Sequence, residues 1–338
     1  MNPLLSIIVI CHEQRCQLRR CLDSILAMEL PFSYEIIVSD DRSQDGTREM
    51  LESEYAEKVI ATYCNSDEGS CANNSQRSGY NRCNAYPSAK GKYIAHVDAD
   101  DYFREGADVY IRQVNALEEH PECSLAMSNC LVLRGDTLDD AAPWPFPKKM
   151  TDGEILDANE FLAKDYFRLN QCFIQRRNPL VDPVALYGNR YVDSVITFHH
   201  LQFGEIIFVD ACDYIYVKTA TSITETLAKQ SQDSIVRWCI GLYLPILIPS
   251  LSLHCFMGHY YSQIREVVKM AISGYKLQEN NYKPLKNLNA FIYDCFSREL
   301  TKSDKLRLCM IEFWMKFMKK TKFINKFSIQ ILRSLLYE

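Results

Sequence analysis

GKYIAHVDADDYF, residues 91–103, decides the reading of this chain. Tyr93 to Val97 is a short apolar, β-prone run, and it delivers Asp98, Asp100 and Asp101 at its carboxyl end. Like charges this close raise one another's pKa, so the cluster costs stability unless something compensates it. Two readings follow. The acids form a turn that caps the next helix, or they seat a hard divalent cation, Mg²⁺ or Mn²⁺. Such ions take oxygen ligands from few protein groups and keep positions for a substrate's phosphates.

Upstream, Ser6 to Ile10 (SIIVI) is a continuous β-branched run, the pattern of a strand covered on both faces as in a parallel sheet. Gln14 to Met28 reads as a helix with Leu18, Cys21, Leu22, Ile25 and Leu26 on one face. Tyr34 to Ser39 (YEIIVS) is a second buried strand, and it ends in Asp40 and Asp41. A carboxylate pair at a strand's carboxyl end, before a turn and a helix start, lies where open α/β sheets place ligand contacts. Asp45 is a candidate N-cap for a helix running to about Tyr55. Lys58 to Tyr63 is a third strand, and Ala72 to Asn84 a helix whose Asn and Ser content counts against it.

Downstream, Glu105 to Glu119 reads as a helix closed by Pro121, and Ser124 to Leu133 as a strand. The loop holding Pro143, Trp144, Pro145, Phe146 and Pro147 is too proline-rich for regular structure and suits a flap over a site. Trp144 there could stack on a sugar ring or pin the loop to the core. A helix starts near Asp157, Gln171 to Gln175 is a short strand, and Tyr191 to Phe203 is a helix. Glu205 to Val209 and Asp213 to Lys218 look like two edge strands. Alternating strands and helices predict an α/β fold with a doubly wound, mostly parallel sheet. A soft boundary near residue 222 separates this part, 1–222, from a helical region, 223–338.

The 338 residues carry a net charge of −5 and 47% hydrophobic side chains, enough for a core and too acidic for a nucleic-acid binder. Fourteen cysteines in a long chain, with no leader pattern before the first strand, fit reduced thiols in a cytosol. No Cys/His zinc spacing and no GxxxxGK[ST] occurs. Residues 238–264 are 27 residues without Lys, Arg, Asp or Glu, long enough for a bilayer but interrupted by Pro245, Pro249 and several polar groups, so buried or interfacial helices are expected. Residues 301–338 carry nine Lys or Arg against three acids, and within them KFMKKTKFINKFSIQILRSLL, residues 316–336, reads as a basic amphipathic helix. It could lie on an anionic membrane surface or dock on the catalytic part.

EIIVSDDRSQDGT, GKYIAHVDADDYF and YVDSVITFHHLQFGEIIFVDACDYIYVKTATSIT together resemble the family 2 glycosyltransferases of GT-A fold, in order and spacing over residues 4–222. The resemblance implies a Rossmann-like GT-A sheet and transfer of a sugar from a nucleotide-diphosphate donor, UDP before others. It places a nucleobase contact on Asp41 with Asp40 beside it, and the family's DxD on Asp98 and Asp100, which hold Mn²⁺ or Mg²⁺ and the donor. Asp101 is then read as the cap of the following helix. The catalytic base falls on Asp193, although the Glu that commonly precedes it is Val192 here. A polar helix between the second and fourth strands supplies nucleotide contacts, with Arg77 preferred, Asn73 or Asn74 nearby, and Arg82 as rival. His96 is a core side chain on this reading. His199 and His200, six and seven residues after Asp193, fit packing, an acceptor contact or a third metal ligand.

The implied acceptor is a glycan or lipid-linked saccharide, as in lipopolysaccharide, O-antigen or capsule synthesis, made at the cytoplasmic face of the membrane. Two other readings keep the same sheet. A polyprenyl-phosphate sugar synthase would need no base, because its acceptor phosphate is already ionised. A non-catalytic sugar-nucleotide-binding module would use a degenerate version of the sheet, and the intact Asp41, Asp98, Asp100 and Asp193 argue against it.

Overall fold

The structure, a computed structural model, describes residues 2–65, 74–135, 137–144, 150–164, 172–178, 200–218, 300–306 and 308–309. The apolar run at the amino end becomes β1 (Leu5–Cys11), with all seven residues buried. Alternate side chains face opposite ways: Leu5, Ile7, Val9 and Cys11 enter the main core cluster. They meet the buried face of α1 (Arg15–Leu26), made by Leu18, Cys21, Leu22 and Ile25, and Met50 and Leu51 of α2 (Thr47–Ser53). Four of the five residues predicted for the α1 face are therefore buried; Leu26 packs at its margin.

β2 (Tyr34–Asp41), β3 (Ile60–Cys64) and β4 (Tyr93–Asp98) join β1 in parallel, in the order β3-β2-β1-β4. Ile10 is the register partner of both Ser39 and Asp98. The residues that follow, Asp40–Asp41 and Ala99–Asp101, therefore emerge along one carboxyl rim. The close approach of β1 and β4 depends on Gly91, where a Cβ would stand 2.5 Å from the Ser6 amide nitrogen. α3 (Asn74–Ala85) packs on β1, β2 and β3.

The second half of the mostly parallel sheet is mixed. β9 (Phe173–Arg176) runs antiparallel between β4 and β6 (Cys123–Leu133), and β10 (Glu205–Val217) pairs parallel with β6. The two edge strands expected at 205–209 and 213–218 are one 13-residue strand, with register shifts on β6 at Glu205/Ile206 and between Val209 and Tyr214. It is no edge either. β5 (Tyr102–Phe103) and β8 (Ile155–Leu156) pair along its other side. Pro143 ends a three-residue strand, β7 (Ala141–Pro143), on β6; the proline loop is thus partly regular, because an outer strand tolerates a missing N–H.

α4 (Val109–Glu119) starts four residues later than the helix read from Glu105. The reason lies far away in sequence: Oδ2 of Asp213, on the irregular part of β10, accepts the N–H groups of Asp108 and Val109. Asp213 is 2% exposed and also binds the Arg104 guanidinium. Phe103 then packs edge-on against Tyr110 and Tyr214, at 5.0 and 5.2 Å, tying β5, α4 and β10 together.

By packing, the chain divides into one unit of residues 1–157 and 166–225 and another of 158–165 and 226–338. In the second, α5 (Ala158–Lys164) buries Phe161, and residues 302–306 are helical beside buried Leu300 and Leu308. Among the described residues no helix is long and apolar enough to cross a membrane. The 238–264 stretch, most of 301–338 and most of the helix expected at 191–203 lie outside the described residues.

Candidate active site

The rim is built first by the loops after β1 and β2, which are bonded to each other. The Glu13 amide donates to Ser43 Oγ at 2.7 Å, and the Gln44 amide returns a bond to Glu13 Oε1 at 2.7 Å. Glu13 and Arg42 both sit at positive φ, 55° and 53°, an uncommon backbone state for side chains of this size and one that collects at functional sites. Asp40, 1% exposed, spends its carboxylate on this turn, accepting from the Ser43 hydroxyl and amide. Asp41 is equally buried, at 2%, and its carbonyl accepts His12 Nδ1 at 2.6 Å. With that nitrogen donating, His12 Nε2 faces Arg77 Nη1 at 3.4 Å.

Asp45 caps from one position before the N-cap. Its Oδ1 accepts the Thr47 amide and hydroxyl, while Gly46 takes the left-handed N-cap conformation. Its Oδ2 takes the Arg15 amide at the start of α1, and these hydrogen bonds hold its carboxyl below the usual range against the opposing effect of burial.

The polar residues that counted against α3 turn out to dock it. Asn81 donates to the Cys11 carbonyl at 3.0 Å and accepts from Cys64 Sγ, and Asn84 donates to Ser39 Oγ at 3.0 Å. Nearly one and a half turns of helix then separate the two candidate arginines, Arg77 and Arg82. Arg77 reaches the β1–β2 side of the rim through His12, and Arg82 reaches β4: its Nη2 donates to Asp98 Oδ1 at 2.6 Å. The Arg82 side chain is 3% exposed and that of Asp98 28%, so the guanidinium is the inner partner. Among the described residues Arg82 Nε has no hydrogen-bond acceptor. The structure thus brings Asp40, Asp41, Asp98, Asp100, Arg77 and Arg82 to one edge; Asn73, Asp193 and His199 lie outside the described residues.

The three acids of the opening motif have different fates. Asp98 is paired with Arg82. Asp101 does not cap α4; it is fully buried, accepting the Tyr214 hydroxyl at 2.6 Å and the Val217 amide at 2.8 Å. Burial, with the charges of Asp100 and Asp98, pushes its carboxyl well above the usual range. Asp100 is raised to about 6, first by burial and then by Asp98. Its carbonyl is held by Arg20 at 2.9 Å. A carboxyl raised by burial and by a neighbouring acid, at the end of a strand, is the electrostatic situation that a hard cation would relieve. These residues therefore fit a divalent metal.

Tyr214→Phe removes one of the two hydrogen bonds that the structure gives the Asp101 carboxyl. The expected cost is about 1–3 kcal/mol, read from denaturant midpoints at unchanged slope. A loss within error would show that Asp101 is held by the Val217 amide alone.

His96 is a core side chain, 1% exposed, 3.4 Å from Gln175 Nε2, with burial pushing its pKa well below the ordinary value. His200 is 2% exposed and its carbonyl accepts Ser124 Oγ near the amino end of β6, which fits packing. At that same opposite rim, Glu122, Cys123 and Glu205 lie close enough to share an ion, but burial and the two acids push the Cys123 thiol up to about 12. A protonated thiol is a poor ligand. His12, Asn81 and Asp213 were not singled out from sequence. Each works through main-chain or long-range partners that no local spacing marks.

Residues 6–180 match the family model described as Glycosyl transferase family 2. Uncharacterized protein Rv1520 of Mycobacterium tuberculosis is 25% identical over 223 residues, 65% of this chain and 60% of that protein. Poly(ribitol-phosphate) beta-glucosyltransferase of Bacillus spizizenii is 33% identical over 215 residues, 63% of this chain and 32% of that one. The chain therefore spans less than two thirds of either relative. The crystal structure of S. aureus TarS 1-349 in complex with UDP superposes with a TM-score of 0.60 at 16% identity, over 95% of this chain and 91% of that one, a likeness of fold.

Proposed function

This chain belongs to glycosyl transferase family 2, and from that membership we propose that it moves a sugar from a nucleotide-diphosphate donor, UDP-linked first, to a hydroxyl of a surface-polymer acceptor with inversion. The observation that carries the reading is the rim itself: Asp41 from β2 and Asp98 and Asp100 from β4, with the buried Arg82 on Asp98. The named activity of the Bacillus relative and the UDP in the TarS crystal support the acceptor and donor classes.

In this reading the Asp41 carboxylate accepts the N3–H of a uracil. Arg82, with Arg77 and Asn73 from the same segment, offers N–H donors to the diphosphate; the Arg82 Nε without an acceptor suits a phosphate oxygen. Asp98 and Asp100 would hold Mn²⁺ or Mg²⁺, which when bound balances negative charge on the departing diphosphate. Asp193 takes the proton of the acceptor hydroxyl. That oxygen forms a bond to the anomeric carbon from the face opposite the nucleotide, the bond to the diphosphate oxygen breaks, and the nucleoside diphosphate leaves. One displacement inverts the centre. We place the reaction at the cytoplasmic side of a membrane, with 301–338 as the segment for peripheral contact.

The test is a donor screen. UDP-, GDP-, dTDP- and CDP-sugars with Mn²⁺ are expected to raise the melting temperature selectively, UDP-sugars most, because a ligand that binds only the folded state stabilises it. A flat response to all four nucleotides, with and without the metal, would remove the donor reading.

A further inference from the structure

Resting on the transferase reading above, we propose that Trp144, Tyr216 and Lys218 form the acceptor subsite, and that it takes one polyol or sugar unit together with the phosphodiester beside it. The Trp144 and Tyr216 rings are 6.2 Å apart and inclined at 51°, and Lys218 Nζ lies 5.3 Å from the first and 5.6 Å from the second. All three side chains are partly exposed. An aromatic face packs against the C–H face of a sugar or an extended polyol, and an ammonium held over the same rings is placed for an anion on that unit.

Strand register puts this cluster beside the donor acids. Tyr214 pairs with Phe103 of β5, and Val217 donates its amide to Asp101, so Tyr216 stands on the stretch of β10 that flanks the Asp98–Asp101 loop. Trp144 is delivered from the other direction, its amide bonded to the Cys130 carbonyl at 2.8 Å, and Cys130 is the β6 register partner of Tyr214. The distance across one strand is about 5 Å, on the scale of one sugar unit, which suits an acceptor hydroxyl held next to the donor.

Charge sorts the acceptor. A phosphodiester is repelled by Asp98 and Asp100, so an anionic chain needs cationic groups where its phosphate rests. Just past β10 the Lys218 amide bonds the Leu133 carbonyl, and Arg134 is the next residue of the chain. Two cationic residues thus follow paired strand positions at this end of β10. The same rings also pack on the core cluster, so a purely structural role has to be told apart by experiment.

The probe is a synthetic ribitol-phosphate oligomer, with free ribitol as the neutral control, titrated by calorimetry into the wild-type chain at low and moderate salt. The expected result is salt-sensitive binding of the oligomer. Lys218→Gln should weaken it by about tenfold or more, Lys218→Arg should retain it, and Trp144→Leu should weaken it more than Trp144→Phe. The metal-dependent shift with UDP-sugar should stay at its wild-type size in the Lys218 variants. Oligomer affinity unchanged in Lys218→Gln and Trp144→Leu, or no oligomer binding to the wild-type chain, overturns the subsite. The two readings fail separately: oligomer binding that depends on Lys218 without any donor shift sinks the donor reading alone, and a donor shift without oligomer binding sinks the subsite alone.

Discussion

Asp193→Asn is expected to lower sugar transfer by about 10²–10⁴-fold, the usual worth of a positioned general base, while metal-dependent donor binding stays intact. The acceptor hydroxyl is a poor nucleophile until its proton leaves, and an amide cannot take that proton. Even Asp193→Glu should lose most of the rate, because the longer side chain moves the accepting oxygen relative to the hydroxyl, and much of such catalysis is position. Initial rates of transfer and of donor binding, measured on the same preparations, separate the two effects. Full transfer activity in Asp193→Ala would point instead to an acceptor that is already ionised, such as a polyprenyl phosphate.

Asp100→Ala is expected to abolish the stabilisation by Mn²⁺ with UDP-sugar and to bring transfer to background. Asp100 is the informative position because Asp98 is already paired: removing Asp98 leaves the buried Arg82 guanidinium without its carboxylate and destabilises the fold as well. Proton competition gives a second reading of the same site. The Asp100 carboxyl is raised to about 6, so its proton is held more tightly in the folded chain than in the unfolded one. Ionising it therefore costs stability, with no cost below the ordinary carboxylate range and the full cost above pH about 6. Without metal, Asp100→Asn should gain on the wild-type chain as pH rises through that window and match it below. With metal, the stabilisation of the wild-type chain should fall as pH drops through about 6. Unfolding curves from pH 4 to 8, with and without Mn²⁺, check both signs.

Much of this rim could be read from local pattern. β-branched runs marked β1, β2 and β4, and the acids at their ends followed directly; parallel register then made two separate runs into one edge. What escaped reading depends on partners far apart in sequence. Nothing in the four residues of β9 says that they enter antiparallel between β4 and β6. Asp101 looked like a helix cap because its local context is that of one, yet its partners are Tyr214 and Val217, more than 100 residues away. Asp213 does the capping from the irregular part of β10, and that irregularity is why one long strand looked like two. The Asn residues of α3 lower intrinsic helix propensity, but Asn81 and Asn84 repay it through bonds to Cys11 and Ser39 that only the folded sheet provides. Nor does one helix say what Arg77 and Arg82 meet: in the folded sheet Arg82 reaches Asp98 and Arg77 reaches His12.

The most direct test is calorimetric titration of UDP into the chain with Mn²⁺ present and with Mn²⁺ chelated, for the wild-type protein and for Asp100→Ala. The account predicts saturable, one-site binding in the wild-type chain that requires the metal and disappears in Asp100→Ala. Equal UDP binding in both proteins, or binding indifferent to the metal, would contradict it.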